Sequence, residues 1–96
     1  MNIPADVERF LAKHFPPEDL EQAVQMLGDA RIHDGTMPNA RLLRCVAFAS
    51  QGQLKQLQRL ASQLSTDWRD VIMAGEYELQ GKDAVQVRDL NRPLQV

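Results

Sequence analysis

The sequence predicts an all-α protein: a compact bundle of about five short helices built from antiparallel helical hairpins, with an irregular or short extended C-terminal tail. Three observations predict this fold. Apolar residues recur at helical spacing through most of the chain, and prolines and glycines divide it into segments of helical length. Only residues 84–90 show the weak alternation of apolar and polar residues that is typical of a strand. We therefore expect one helical domain over residues 1–96, with residues 83–96 as a tail that packs on it.

The first two helices are predicted over residues 4–15 and 17–28. Apolar residues between Ile3 and Leu11 repeat on one helical face. Phe15-Pro16-Pro17 ends that helix, because proline disfavours a helical conformation in the residue before it. Acidic residues follow the prolines and suit the positive end of the second helix dipole. Gly28 is expected to cap its C-terminus.

Three more helices are predicted over residues 39–51, 53–65 and 67–79. Asn39 is the expected N-cap of the third helix, which is apolar almost all round and is therefore placed at the centre. Gly75 falls on the buried stripe of the fifth helix, which indicates close approach by another backbone. That apolar stripe consists of Trp68, Val71, Ile72, Gly75 and Leu79.

Residues 84–90 alternate weakly and permit two interpretations. They form either a short strand that pairs with residues 77–79 or an extended tail that lies over the helices. We favour the tail, because an isolated two-stranded hairpin is only marginally stable. Six residues are expected to be buried together in the core: Phe10, Leu27, Val46, Leu57, Leu60 and Ile72.

Residues 49–60 resemble the inner helix, glycine turn and outer helix of an ankyrin repeat. Asp34-Gly35-Thr36-Met37-Pro38 is similar to the turn that opens such a repeat. Asn39-Ala40 stands where the repeat has a leucine–histidine pair, and no second copy follows, whereas a stable array needs about three repeats. We interpret the resemblance as the shared pattern of a helical hairpin.

Charge is segregated along the chain. Residues 1–30 carry six acidic and two basic residues, residues 31–69 carry two acidic and six basic residues, and residues 70–96 carry five acidic and three basic residues. This pattern predicts either a basic patch beside acidic surfaces or internal pairing between helices. No apolar run approaches the ~20 residues of a membrane span, and no leader peptide opens the chain, so we expect a cytoplasmic protein without a membrane partner.

Catalytic, metal-binding and cofactor-binding motifs are not found in the sequence. His14 and His33 lack the companion ligands of a metal site, and the acidic residues of Glu76-Tyr77-Glu78 point to different sides of a helix. Cys45 lies in an apolar run and is expected to be a small buried hydrophobe; the alternative is a reactive thiol whose pKa Arg44 lowers. We expect no enzyme, no metal and no cofactor.

The expected function is protein–protein interaction or self-association, with a dimer as one form. Asp70, Met73 and Tyr77 follow at offsets 0, 3 and 7 on the fifth helix and point away from its apolar stripe. Tyrosine and methionine are favoured at interfaces, which makes these three residues the partner-binding candidates.

The alternative function is binding to the phosphate backbone of a nucleic acid through the basic segment 31–69. An antiparallel arrangement of the third and fourth helices about Gly52 would bring Arg44 and Arg59 to similar heights along the two helices. The phosphate-binding candidates are Arg41, Arg44, Lys55 and Arg59.

Overall fold

The computed structural model describes residues 3–94 of the chain. This part is predominantly helical, as the sequence predicts, and contains four α-helices and one two-stranded antiparallel sheet. None of the helices within residues 3–94 is both long enough and apolar enough to cross a membrane. The elements are α1 (Ala5–His14), α2 (Pro17–Asp29), α3 (Ala40–Ser50), α4 (Leu54–Glu76), β1 (Tyr77–Gln80) and β2 (Asp83–Gln86).

The predicted boundaries of the first three helices are close to the observed ones. Phe15 is extended before Pro16 and ends α1, and the Asn39 side chain caps α3 by accepting a hydrogen bond from the Leu42 amide at 2.9 Å. The prediction that Gly28 caps α2 is wrong. Gly28 lies inside α2, and the chain leaves this helix through extended backbone at Ala30, where no glycine is required.

The prediction of five helices is wrong, because the fourth and fifth predicted helices form one element, α4. Asp67 marks the predicted boundary, where its extended backbone (φ −156°, ψ 100°) kinks α4. Its carboxylate accepts a hydrogen bond from the Arg69 amide at 3.1 Å, as a capping residue does. Gln63 donates to the Asp70 carboxylate at 2.9 Å and joins the two sides of the kink. The local signal for a helix start therefore produces a kink rather than a separate helix.

The C-terminal end of α4 also differs from the prediction. The helix ends at Glu76, and the following residues form a hairpin in which Tyr77 pairs with Gln86 and Leu79 with Ala84. The preference for a tail over residues 83–86 is therefore wrong. Gly81, with a φ of 66°, permits the tight turn, and the Val87 amide donates to the Glu76 carbonyl at 2.9 Å at the base of the hairpin.

The predicted stripe of the fifth helix is only partly buried. Val71 and Gly75 are buried, but the side chain of Trp68 is 37% exposed and that of Leu79 is 79% exposed, so both were placed wrongly in the core. Trp68 follows the kink directly, and Leu79 lies on the hairpin beyond the end of α4. The helical periodicity that placed them on one face does not continue through either position.

One apolar core joins α1, α2, α3, α4 and the C-terminal segment. The predicted core residues Phe10, Leu27, Val46, Leu57 and Leu60 are buried in it, and Ile72 packs against it while half-buried. Beyond β2 the chain does run as a tail, and its Leu90 and Leu94 side chains join the core.

The predicted close approach at Gly75 is confirmed. A Cβ atom at Gly75 would lie 2.6 Å from the Cβ and 2.8 Å from the Cα of Cys45 on α3. The missing side chain therefore lets α4 pack directly on the backbone of α3. A left-handed Gln51 and Gly52 form the turn between these helices, and a Cβ at Gly52 would collide with the His14 carbonyl oxygen.

Candidate functional site

A fully buried carboxylate, that of Glu76, lies where α4 meets the hairpin. It accepts two hydrogen bonds of 2.7 Å from Arg41, one of 2.9 Å from Gln86 and one of 3.1 Å from the Leu90 amide. The hydrogen bonds from Arg41 outweigh the effect of burial and lower the pKa of Glu76. Glu76 is therefore an ionised anchor that joins α3, α4, β2 and the tail.

A second ion pair, between Asp6 and Arg44, holds the tail against α1 and α3. Arg44 donates to the Asp6 carboxylate at 3.0 and 3.4 Å and to the carbonyls of Leu90 and Asn91 at 3.3 and 3.1 Å. The Leu94 amide donates to Asp6 at 3.0 Å. Burial raises the pKa of Asp6, but these hydrogen bonds from Arg44 and Leu94 exceed that effect and leave the pKa lowered.

The four phosphate-binding candidates are thus separated by the structure. Arg41 and Arg44 are paired with Glu76 and Asp6, whereas Lys55 and Arg59 are exposed on α4. The Arg59 Nε donates to the Gln56 side chain at 2.8 Å. Internal pairing between the charge-segregated parts of the chain therefore engages two of the four basic side chains.

Sequence reasoning missed the role of Glu76. The sequence places Glu76 among the acidic residues of the fifth predicted helix and predicts only that it points to a different side of that helix from Glu78. The available signal was its position four residues after Ile72, which places it on the same helical face as the buried stripe. A carboxylate on a buried face needs a cationic partner, and the sequence offered several arginines without indicating which one.

The exposed large hydrophobic side chains of residues 3–94 are confined to one part of the chain, residues 68–87. We call this part the exposed apolar segment; it covers the C-terminal third of α4, the hairpin and the first residue of the tail. Leu79 is the most exposed of its apolar side chains, at 79%. The five side chains are Trp68, Met73, Leu79, Val85 and Val87.

The three partner-binding candidates lie within this segment but not on one helical face. Asp70 and Met73 are exposed on α4, and Met73 is 43% exposed. Tyr77 is half-buried and begins β1, so the helical spacing that related it to Met73 does not apply. The structure brings Asp70 and Met73 to the solvent-facing side of α4 and places Tyr77 at the base of the hairpin.

Cys45 is buried and free, as expected from its apolar surroundings. Burial, together with the charge of Glu76, raises the pKa of its thiol to about 12, so the thiol stays protonated at neutral pH. The His14 ring lies 4.2 Å from the ring of Phe10, and His33 lines a shallow groove beside Trp68. Within residues 3–94, no group of three or more His, Cys, Asp or Glu side chains is arranged to hold a metal ion.

Comparison of the chain with known protein families, curated proteins and solved structures finds no match.

Proposed function

We propose that the protein is a non-catalytic interaction module and that its partner is a second copy of itself. The observation that carries this proposal is the confinement of exposed large apolar side chains to residues 68–87. Scattered exposed hydrophobic residues are ordinary on a soluble domain, whereas exposed apolar side chains that lie together mark an interaction surface. These five side chains fall within twenty residues of the chain, with Leu79 on one face of the hairpin and Val85 on the other. Met73 and Leu79 provide the apolar contacts, and Asp70 belongs to the polar rim.

The hairpin favours a second copy as the partner. β1 and β2 have four residues each and pair with no other strand within residues 3–94, so both outer edges are open. An isolated two-stranded sheet is marginal, and an open edge with exposed apolar side chains accepts a further strand. The same edge strand from two copies can pair antiparallel about a twofold axis, which is the symmetry of most homodimers.

The alternative, binding to a nucleic-acid phosphate backbone through residues 31–69, has less support. Arg41 and Arg44 are held by carboxylates that a phosphate would have to displace. Only Lys55 and Arg59 of the four candidates face solvent without an acidic partner in residues 3–94. Binding of this kind would weaken steeply as salt rises, whereas an apolar interface would not.

The double variant Met73→Gln with Leu79→Gln tests the proposal. Light scattering is expected to give the mass of a dimer for the wild-type chain and that of a monomer for the variant. The free energy of unfolding of the variant is expected to differ from that of the wild-type monomer by no more than about 0.5 kcal/mol, because both side chains are exposed in the monomer. Lys55→Gln, on the N-terminal part of α4, is the matched control and should still dimerise.

Two results would contradict the proposal. The first is a wild-type mass that stays monomeric at all concentrations. The second is a free energy of unfolding that is lower by about 2 kcal/mol or more in the variant than in the monomeric wild-type chain, which would place these side chains in the core.

A further inference from the structure

A cavity of about 420 Å³, open to solvent, lies between α3, α4, β1 and the tail. Its volume falls within the range of sites for small organic ligands. Its lining includes the apolar side chains of Phe48, Leu60 and Ala74 and four polar side chains that we call the rim: Arg59, Tyr77, Glu78 and Arg88. An apolar lining with a few polar groups is typical of a small-molecule site.

One guanidinium of the rim is fixed before any ligand arrives. Arg88 donates to the Gly75 carbonyl and to the Glu78 carboxylate, both at 2.7 Å. Its guanidinium carbon also lies 4.2 Å from the centre of the Phe48 ring. Arg88 therefore forms a rigid wall whose charge Glu78 largely balances.

The second guanidinium of the rim, that of Arg59, is available for a ligand. It donates from Nε to Gln56 at 2.8 Å and is paired with no carboxylate of residues 3–94. The Tyr77 hydroxyl likewise makes no hydrogen bond with this part of the chain. Two guanidinium groups and one carboxylate give the rim a formal charge of +1.

We propose that this cavity binds a small organic monoanion, such as an aryl carboxylate or aryl sulfonate. The apolar body of the ligand lies on Leu60 and Ala74, and its anionic group accepts hydrogen bonds from Arg59 and the Tyr77 hydroxyl. A planar guanidinium suits an oxyanion because it donates two parallel hydrogen bonds. A dianion is disfavoured because the Glu78 carboxylate shares the rim. This site goes beyond the proposed function, since it requires no association between chains.

The test uses 8-anilinonaphthalene-1-sulfonate, an aromatic monoanion that fluoresces when it enters an apolar site. Titration into the folded full chain at neutral pH is expected to show saturable binding of one probe per chain. Arg59→Gln is expected to raise the Kd about tenfold, because a hydrogen bond to a charged group is lost. Lys55→Gln is the matched control: it removes an exposed cation one turn away that does not line the cavity, and it should leave the Kd unchanged.

Residues 68–87 contribute Ala74, Tyr77 and Glu78 to the cavity, so two further measurements separate binding in the cavity from binding to the exposed apolar side chains of that segment. Ala74→Leu enlarges a side chain that lines the cavity and should weaken binding, while Met73→Gln, which lies outside the cavity, should bind the probe normally. The uncharged analogue N-phenyl-1-naphthylamine should bind wild type and Arg59→Gln equally. The proposal is overturned by the absence of saturable binding, by equal effects of Arg59→Gln and Lys55→Gln, or by unchanged binding to Ala74→Leu.

Discussion

Gly75 occupies the point where α4 lies against the backbone of α3. A methyl group there would meet the Cα and Cβ of Cys45, which no change of rotamer can move away. We expect Gly75→Ala to lower the free energy of unfolding by about 1–3 kcal/mol, as overpacked core substitutions do. Denaturation in urea measures this value.

Gly28 provides the matched control for that substitution. It also lies in a helix, but a Cβ there would meet nothing within 4 Å. Gly28→Ala should therefore stabilise the protein by roughly 0.5–1 kcal/mol through helix propensity. If Gly75→Ala stabilised the protein to the same extent, the close packing of α3 and α4 would be wrong.

Glu76 is the residue on which the hairpin and the tail depend most. Glu76→Gln keeps the shape but leaves the Arg41 guanidinium without its counter-ion, so we expect a loss of about 2–4 kcal/mol in the free energy of unfolding. Arg69→Gln, at an ion pair whose arginine side chain is 75% exposed, should change stability little. Equal effects of the two substitutions in urea denaturation would argue against the buried anchor.

Stability should also depend on pH through the two buried carboxylates. Folding lowers the pKa of Glu76 through Arg41, and that of Asp6 through Arg44 and the Leu94 amide. Because the folded state favours the ionised form, the stability that these carboxylates contribute is fully present above the ordinary glutamate pKa of 4.5. It is lost as the pH falls through the lowered pKa of the folded state. Thermal unfolding between about pH 2 and pH 7 should show a constant Tm near neutrality and a steep fall in acid.

The double variant Asp6→Asn with Glu76→Gln is the control for this pH dependence. It should have a lower Tm near neutrality and a shallower fall in acid than the wild-type chain. A pH profile that is parallel to that of the wild type would mean that other groups cause the acid unfolding.

At the scale of the elements, α4 is the helix that organises the domain. It packs on α3 and contacts α2, and Leu57 near its start is completely buried. We expect Leu57→Ala to reduce the free energy of unfolding by about 2–5 kcal/mol. Gln58→Ala, the exposed neighbour, should have little effect; a small change for Leu57→Ala in urea denaturation would show that α4 is peripheral.

The helices could be predicted from the sequence because their signals are local. Asn39, the paired prolines after Phe15 and the glycine between α3 and α4 each act on their own backbone, and the helix boundaries followed from them. Asp67 gives the same kind of signal, but it starts no separate helix, because α4 continues beyond the kink at this residue. The hairpin was missed because its support comes from Glu76 and residues beyond β2, which period-two alternation does not reveal.

At the scale of the whole molecule, charge segregation along the sequence reflects pairing between distant parts of the chain. Asp6 and Arg44 are 38 residues apart, and Arg41 and Glu76 are 35 residues apart. The sequence predicted that such pairing was one of two outcomes but could not select it, because the partners meet only after the helices pack. The sequence predicts the exposed apolar segment only in part. It identifies Met73 as an exposed partner-binding candidate, but it assigns Leu79 to the core and Val85 to the tail.

If a second copy of the chain covers the exposed apolar segment, amide hydrogen exchange of residues 77–87 will depend on protein concentration. A two-stranded hairpin in a monomer exchanges rapidly, whereas strands paired across a dimer are protected. We expect protection of these amides to rise with concentration, while protection of the buried α3 amides stays constant. Rapid exchange of the hairpin at every concentration would contradict it.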